Sequence, residues 1–200
     1  MNIKLSSSSF LGSFRTYYPD VTVLDDYLTG IRETDLVIFP GGCDVNPSLY
    51  GQPLKGAYGF SEERDSKESK IYWACVARGI PMLGVCRGHQ LLFALEGGSL
   101  IQDIRPMHHA HHELLWLKEH PISNFYPDGV NSMHHQGYTV DELESNDIIP
   151  LAIEPASGIV EAAENVISKF ITVQFHPEMM SLAQSGKFFE YILSWAKEVR

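Results

Sequence analysis

Apolar runs and helix-like patterns alternate along the first half of the chain. The run "DLVIFPGG" (Asp35–Gly42) is apolar until its Pro-Gly-Gly end, which is typical of a strand buried on both faces. The segment "SEERDSKESKIYWACVARG" predicts a helix with Ser61 as its N-cap and Gly79 as its C-terminal stop. After it, "PMLGVC" predicts a strand and "RGHQLLFALEGG" a helix. Near the start of the chain, "NIKLS" and "VTVLDDY" predict two further short strands.

The second half is richer in strand patterns, namely "ELLWLK", "VNSMHH", "IIPLAIEP", "GIVEAAE" and "FITVQFHP". A last helix is predicted from about Ser181 to Arg200, with Phe188, Ile192 and Trp195 on one buried face. This alternation predicts an α/β fold, a three-layer α/β/α sandwich with a mostly parallel central sheet. With 44% hydrophobic residues, we expect positions 1–200 to form a single domain.

Composition narrows the functional classes. The formal net charge of −10 argues against a general nucleic-acid binder, because the phosphate backbone would repel the protein. No apolar run reaches membrane-spanning length and the N-terminus does not resemble a signal peptide, so a cytoplasmic protein is expected. Cys43, Cys75 and Cys86 show no CxxC spacing, which argues against a disulfide framework or a cysteine zinc site. The helical pattern makes Cys75 a core residue.

The stretch "GVCRGHQ" places Cys86 at the corner between a predicted strand and a predicted helix. This is the pattern of a nucleophile elbow, in which Gly84 and Gly88 avoid clashes where strand and helix approach each other. A thiolate at a helix N-terminus is stabilised by unpaired N–H groups and by the helix dipole. The alternative is a buried cysteine that packs as a small hydrophobic side chain.

A cysteine nucleophile needs a base, and "VQFHPEM" offers His176 at a strand end, followed by Pro177 and Glu178. Proline stiffens the turn, so Glu178 can orient the imidazole as the acidic member of a hydrolytic triad does. The alternative is a strand-ending histidine beside an exposed glutamate. Because His176 follows Cys86 by 176 − 86 = 90 positions, only the fold can bring them together.

An acyl-transfer site also needs donors for the developing oxyanion. The backbone N–H of Arg87 follows the cysteine, and "FPGGCD" offers the N–H groups of Gly41 and Gly42 after a neighbouring strand. The alternative for the Pro-Gly-Gly segment is an ordinary turn.

Taken together, "PGG", "GVCRGHQLL" and "VQFHPE" resemble the class I glutamine amidotransferase superfamily, with its flavodoxin-like fold and Cys–His–Glu triad. The segments "GGCDVNPSLYGQ", "RDSKES", "GGSLIQDI" and "VNSMHHQG" are similar to its peptidase C26 branch, which includes γ-glutamyl-γ-aminobutyrate hydrolase. The resemblance implies cleavage of a γ-glutamyl amide, or of glutamine, through a thioester on Cys86. His176 would be the general acid and base and Glu178 its orienting group, with no metal or cofactor.

Two further residues are candidates for substrate binding. Gln90 lies one helical turn beyond Cys86, so we expect it to face the same pocket; the alternative is a helix-surface glutamine. His134 matches the family's histidine after "VNS" and is expected in the pocket, with a structural hydrogen bond as the alternative. A second hypothesis for the whole protein is a glutaminase subunit that delivers ammonia to a separate synthetase partner. The sequence leaves a homodimer open.

The segment "MHHAHHE" contains four close histidines: His108, His109, His111 and His112. On a helix, pairs of them have the spacing to bind a metal through neutral imidazoles. The segment is expected instead to lead from a loop into the strand "ELLWLK". We therefore interpret it as a solvated histidine loop and expect no metal site there.

Overall fold

The computed structural model describes residues 1–105, 111–143 and 147–200. The strands within these ranges are β1 (Ile3–Leu5), β2 (Thr22–Val23), β3 (Leu36–Phe39), β4 (Met82–Val85), β5 (His111–His112), β6 (Leu115–Trp116), β7 (Val130–Asn131), β8 (Ile148–Ile153), β9 (Val160–Asn165) and β10 (Phe170–Val173). The α-helices are α1 (Leu11–Arg15), α2 (Glu62–Arg78), α3 (Arg87–Leu95) and α4 (Leu182–Val199). Short 3-10 turns occupy Gly30–Glu33, Pro47–Tyr50, Pro121–Phe125, Val140–Glu142 and Pro177–Met179.

Eight of the described strands form one sheet in the order β2-β1-β3-β4-β10-β9-β8-β6. The first five of these pair in parallel, whereas β9, β8 and β6 continue the sheet with antiparallel pairing. The prediction of a mostly parallel sheet is confirmed. Strands β5 and β7 form a separate antiparallel pair.

Helices cover both faces of the sheet. In β3, Leu36 and Ile38 belong to a core that also contains Phe14 of α1 and Phe188 of α4. The alternate residues of β3, Val37 and Phe39, belong to a second core with side chains of α2 and α3. Because successive side chains of a strand point to opposite faces, the two cores lie on opposite sides of the sheet. The three-layer arrangement is therefore confirmed.

The predicted caps of α2 are confirmed. Ser61 Oγ accepts a hydrogen bond from the backbone N–H of Arg64 at 3.3 Å, and Gly79 adopts a left-handed conformation with φ of 64°. Cys75 is fully buried in the core on this face, as expected. The helix also buries Asp65 and Glu68, two carboxylates that the apolar pattern did not reveal as interior residues.

Two segments in the second half form shorter strands than their patterns predicted. Of "ELLWLK", only Leu115–Trp116 pairs with the main sheet. Of "VNSMHH", only Val130–Asn131 is a strand, because the next residues leave the ladder for the carboxyl ends of the main strands. There the side-chain amide of Asn131 exchanges two hydrogen bonds with the backbone of His176, at 2.8 and 3.0 Å.

Candidate active site

Cys86 lies at the corner between β4 and α3, with φ of 51° and ψ of −105°. Few non-glycine residues adopt positive φ, and such strain is typical of a nucleophile elbow. A side chain at Gly88 would collide with the carbonyl group of Phe39, and one at Gly84 would lie 2.7 Å from Cγ2 of Thr172. The prediction that both glycines permit the close approach of helix and strand is confirmed.

Sheet pairing brings His176 to this corner. Strands β4 and β10 are parallel neighbours, with Val85 opposite Val173. The Cys86 N–H donates to the carbonyl of Val173 at 2.9 Å, so the pairing continues into the elbow. Because His176 follows the end of β10, its ring reaches Cys86 at the carboxyl edge of the sheet. Between them in sequence lie α3, the antiparallel strands β6, β8 and β9, and β10 itself.

His176 and Glu178 form a buried pair. Nδ1 of His176 lies 2.7 Å from Oε1 of Glu178, across the stiff turn that Pro177 begins. The imidazole is also packed against Phe10, with ring centroids 4.9 Å apart. Its exposure is 2% and that of Glu178 is 6%, so Glu178 is not the exposed residue of the alternative interpretation.

The electrostatics of His176 favour its charged form. Burial by itself would lower the pKa of this histidine. Hydrogen bonds and charge interactions with Cys86 and Glu178 outweigh burial and raise the pKa to about 10. The imidazolium form of the ring is therefore favoured over the neutral form. Since Nδ1 is bound to Glu178, Nε2 is the nitrogen that can exchange a proton with Cys86.

The Pro-Gly-Gly loop follows β3 and lies against the same histidine. A Cβ atom on Gly41 would be 2.5 Å from Cε1 of His176, so the backbone there passes directly beside the ring. Arg87 is the first residue of α3, and first-turn N–H groups have no acceptor within their own helix. The fold thus brings Gly41, Gly42 and the Arg87 backbone to one end of the elbow.

A cavity of about 460 Å³ opens beside Cys86, His176 and Gly42. Its lining combines the reactive groups with an apolar side and a polar end. The lining residues are Phe10, Gly42, Cys43, Asp44, Tyr58, Gly59, Cys86, Gln90, Met133, His134, His135, Gln136, His176 and Met179. Its size suits a small-molecule substrate.

Gln90 and His134, the two candidates for substrate binding, both line this cavity. Gln90 is 3% exposed, and its Nε2 donates to the Gln136 carbonyl at 2.9 Å and to Oε1 of Gln174 at 3.1 Å. It is therefore not a helix-surface glutamine. Nδ1 of His134 lies 2.8 Å from the Gln136 carbonyl, so the structural hydrogen bond of the alternative interpretation is also present.

The polar end of the cavity was not predicted from the sequence. The ring of Tyr58 stacks on His135, with centroids 4.5 Å apart. Asp44 accepts the Tyr58 N–H at 2.7 Å and lies 2.9 Å from Nε2 of His135. Oε1 of Gln102 accepts three backbone N–H groups, at residues 55–57, and holds the loop that carries Tyr58. The available signals were the motifs "GGSLIQDI" and "VNSMHHQG", whose polar residues converge here.

The histidine segment is only partly described. His108 and His109 lie outside the described residues, and His111 is exposed. His112 belongs to β5 and is 7% exposed, with Nε2 at 3.4 Å from Oε2 of Glu161. Burial raises the pKa of Glu161 to about 7, while His112 opposes that shift. The interpretation of a solvated loop is therefore wrong for His112, because strand pairing turns its side chain inward.

Two structural findings apply to residues 1–105, 111–143 and 147–200 alone. None of their His, Cys, Asp and Glu side chains form a group of three or more that could hold a metal ion. None of their helices combines the length and the apolar character needed to span a bilayer.

Comparison with known proteins identifies the family of the chain. Residues 18–178 match the model of the family described as peptidase C26. The chain belongs to the peptidase C26 family. Membership implies an amidohydrolase of the glutamine amidotransferase type.

Named relatives of this peptidase C26 protein are glutamine amidotransferase-like. YvdE of Lactococcus lactis subsp. lactis (strain IL1403), named as glutamine amidotransferase-like, is 31% identical over 175 residues, which cover 78% of this chain and 69% of YvdE. The pyocyanine-specific anthranilate synthase component 2 of Pseudomonas aeruginosa is 28% identical over 120 residues, covering 60% of this chain and 58% of that protein. The glutaminase domain of Trypanosoma brucei CTPS, solved with bound acivicin, has a TM-score of 0.67 at 15% identity, covering 99% and 94% of the two chains, and shows the shared fold.

Proposed function

We propose that this protein is a hydrolase of γ-glutamyl amides that works through a glutamyl thioester on Cys86. One observation carries the proposal: Cys86, at a positive-φ elbow, shares a cavity with His176, whose Nδ1 is bound to Glu178 at 2.7 Å. The nucleophile contacts the base, and the base contacts the carboxylate that orients it, as nucleophilic acyl transfer requires. Acid–base chemistry by His176 and Glu178 alone would not explain why the backbone is strained at Cys86.

In the first half-reaction, the thiolate of Cys86 attacks the γ-carbonyl carbon and forms a C–S bond. The carbonyl oxygen becomes an oxyanion, which we assign to N–H groups of Gly41, Gly42 and Arg87. When the intermediate collapses, the C–N bond breaks and His176 donates its Nε2 proton to the leaving amine. Glu178 keeps the imidazole oriented and stabilises its cationic form.

In the second half-reaction, water attacks the thioester and His176 accepts a proton from it. The C–S bond breaks, glutamate leaves and the thiolate–imidazolium pair is restored. We assign Gln90 and His134 to the walls that hold the glutamyl part, because both line the cavity beside Cys86. The reaction uses only side chains, backbone N–H groups and water. We further propose that residues 1–200 act as a single domain.

The test is release of glutamate from glutamine and from a panel of γ-glutamyl amines, including γ-glutamyl-γ-aminobutyrate. Wild type is compared with Cys86→Ala and with the matched variant Cys75→Ala, in which a cysteine remote from the cavity is lost. We expect one γ-glutamyl amine to be cleaved much faster than glutamine by wild type and Cys75→Ala, and not by Cys86→Ala. Hydrolysis unchanged in Cys86→Ala contradicts the proposal.

A second candidate is a glutaminase subunit that delivers ammonia to a separate synthetase. The observation that favours it is the similarity to an anthranilate synthase component. The triad chemistry would be the same, with ammonia as the leaving group. Slow cleavage of glutamine alone, accelerated strongly by a synthetase partner, favours this candidate over the stand-alone hydrolase.

A further inference from the structure

Arg64 contacts the Pro-Gly-Gly loop and does not line the cavity. Its Nη2 donates to the carbonyl of Pro40 and to the carbonyl of Gly41, each at 3.0 Å. A Cβ atom on Gly42 would collide with Nη1, so the loop backbone lies directly on the guanidinium group. The same Nη1 donates to Oγ of Ser9 at 3.2 Å. The guanidinium is therefore fixed on both sides.

A buried carboxylate connects Arg64 to the other side of the elbow. Glu68 is fully buried and lies 3.3 Å from Nε of Arg64. It also forms an ion pair with Arg87, which Asp65 binds as well. Oγ of Ser6 donates to Glu68 at 2.6 Å. Two cations and two carboxylates thus balance in charge, and Glu68 contacts the arginine on each side.

The direction of a held carbonyl fixes the direction of the next N–H. In a planar trans peptide unit, the C=O and the N–H of the following residue point in opposite directions. An arginine that holds the Pro40 carbonyl therefore turns the Gly41 N–H away from itself. The second bond does the same for the Gly42 N–H, and Gly42 lines the cavity.

We propose that Arg64 is the positioning residue of the oxyanion hole: by holding the carbonyls of Pro40 and Gly41, it directs the N–H groups of Gly41 and Gly42 into the cavity. Glu68 couples this loop to Arg87, so the two sides of the hole keep one spacing. The inference rests on the proposed thioester chemistry, because only an acyl-transfer step develops an oxyanion. It assigns to helix α2 a part in catalysis without any contact to substrate.

Removal of the guanidinium should weaken the acyl-transfer step selectively. Loss of a single oxyanion donor lowers kcat by about 10²- to 10³-fold in well-studied cases. In Arg64→Gln the donors remain but lose their fixed direction, so we expect kcat to fall by about 10- to 100-fold with KM within about threefold. Arg64→Lys should be intermediate, because an ammonium group cannot hold two carbonyls as a planar fork does.

The experiment compares two reactions of Cys86, of which only one develops an oxyanion. Acylation by p-nitrophenyl acetate passes through a tetrahedral oxyanion and expels p-nitrophenolate. Alkylation by iodoacetamide displaces iodide and develops no oxyanion. Both rates are measured by mass spectrometry on the tryptic peptide of residues 79–87, which separates Cys86 from the exposed Cys43. Glutamate release is measured in parallel, and Lys70→Gln, an exposed position on the same helix, is the matched control.

In Arg64→Gln we expect acylation to slow at least tenfold while alkylation stays within about twofold of wild type. Lys70→Gln should leave both rates unchanged. An equal fall of both rates, or no fall in acylation, overturns the positioning role. The two model reactions need no γ-glutamyl substrate, so this result is independent of the panel. Wild type that is acylated normally and cleaves no γ-glutamyl compound instead contradicts the proposed function.

Discussion

The strained elbow should make glycine an unusually favourable replacement at position 86. The comparison is between Cys86→Ala and Cys86→Gly, because both lack the thiol and differ only in the Cβ atom. At φ of 51° and ψ of −105°, a Cβ atom is strained and glycine is not. The matched step is Ala94→Gly, at a buried position inside α3 where the backbone is helical.

At position 94, the change to glycine loses about 1 kcal/mol of helix propensity and about 0.8 kcal/mol of methyl burial. We therefore expect Ala94→Gly to lower the free energy of unfolding by about 2 kcal/mol. At position 86, the same losses of backbone entropy and burial are offset by the release of about 1–3 kcal/mol of strain. The step from Cys86→Ala to Cys86→Gly should thus be close to neutral.

The free energies of unfolding are measured by urea denaturation of the four proteins at one pH, with equal m-values as the condition for comparison. The expected result is a difference of about 2 kcal/mol between the two alanine-to-glycine steps. If glycine destabilises position 86 as much as position 94, the elbow stores no strain. The reasoning from its backbone angles would then be refuted.

Gly88→Ala should lower the free energy of unfolding by about 1–3 kcal/mol, because its Cβ atom would collide with the β3 backbone. Gly186→Ala, an α4 position with open space around it, should instead raise it by about 0.5–1 kcal/mol in the same urea experiment. Glu178→Gln should lower the pKa of His176, measured by NMR, and reduce kcat more than tenfold. Glu190→Gln, at an exposed position of α4, should change neither the pKa nor kcat. Because the pKa of His176 is raised from 6.5 to about 10, its contribution to stability is complete below pH 6.5 and is lost as pH rises through 10. Glu178→Gln should shrink that pH-dependent loss, and an unchanged pH profile contradicts the pairing.

Much of the fold followed from local patterns. The boundaries of α2 were predictable because Ser61 and Gly79 act through their own backbone neighbours, without tertiary contacts. The strand before the Pro-Gly-Gly loop was predictable because burial on both faces requires an unbroken apolar run. The extents of β6 and β7 were not, because there an apolar pattern competes with long-range hydrogen bonds such as those from Asn131 to His176.

The reactive residues were recognisable because their constraints are local as well. The elbow demands glycines around Cys86, and Pro177 stiffens the turn between His176 and Glu178. The polar end of the cavity is not fixed by a comparable local constraint. Asp44, Tyr58 and His135 come from three separate segments, and no spacing rule connects them.

The buried charges beneath the elbow show most clearly what a hydrophobic pattern misses. On α2, Asp65 and Glu68 occupy positions on the buried face, where apolar side chains are the usual expectation. Both carboxylates form ion pairs with Arg87 from the next helix, and Glu68 also contacts Arg64. A buried carboxylate without such a partner would destabilise the fold. Sequence spacing could not show the pairing of Arg87 with Asp65 and Glu68, since the local pattern around Arg87 indicates only the start of a helix. Charged residues at core positions of a segment are therefore informative: they indicate that another part of the chain contributes the opposite charge. Here that charge is on Arg87, the residue directly after the nucleophile.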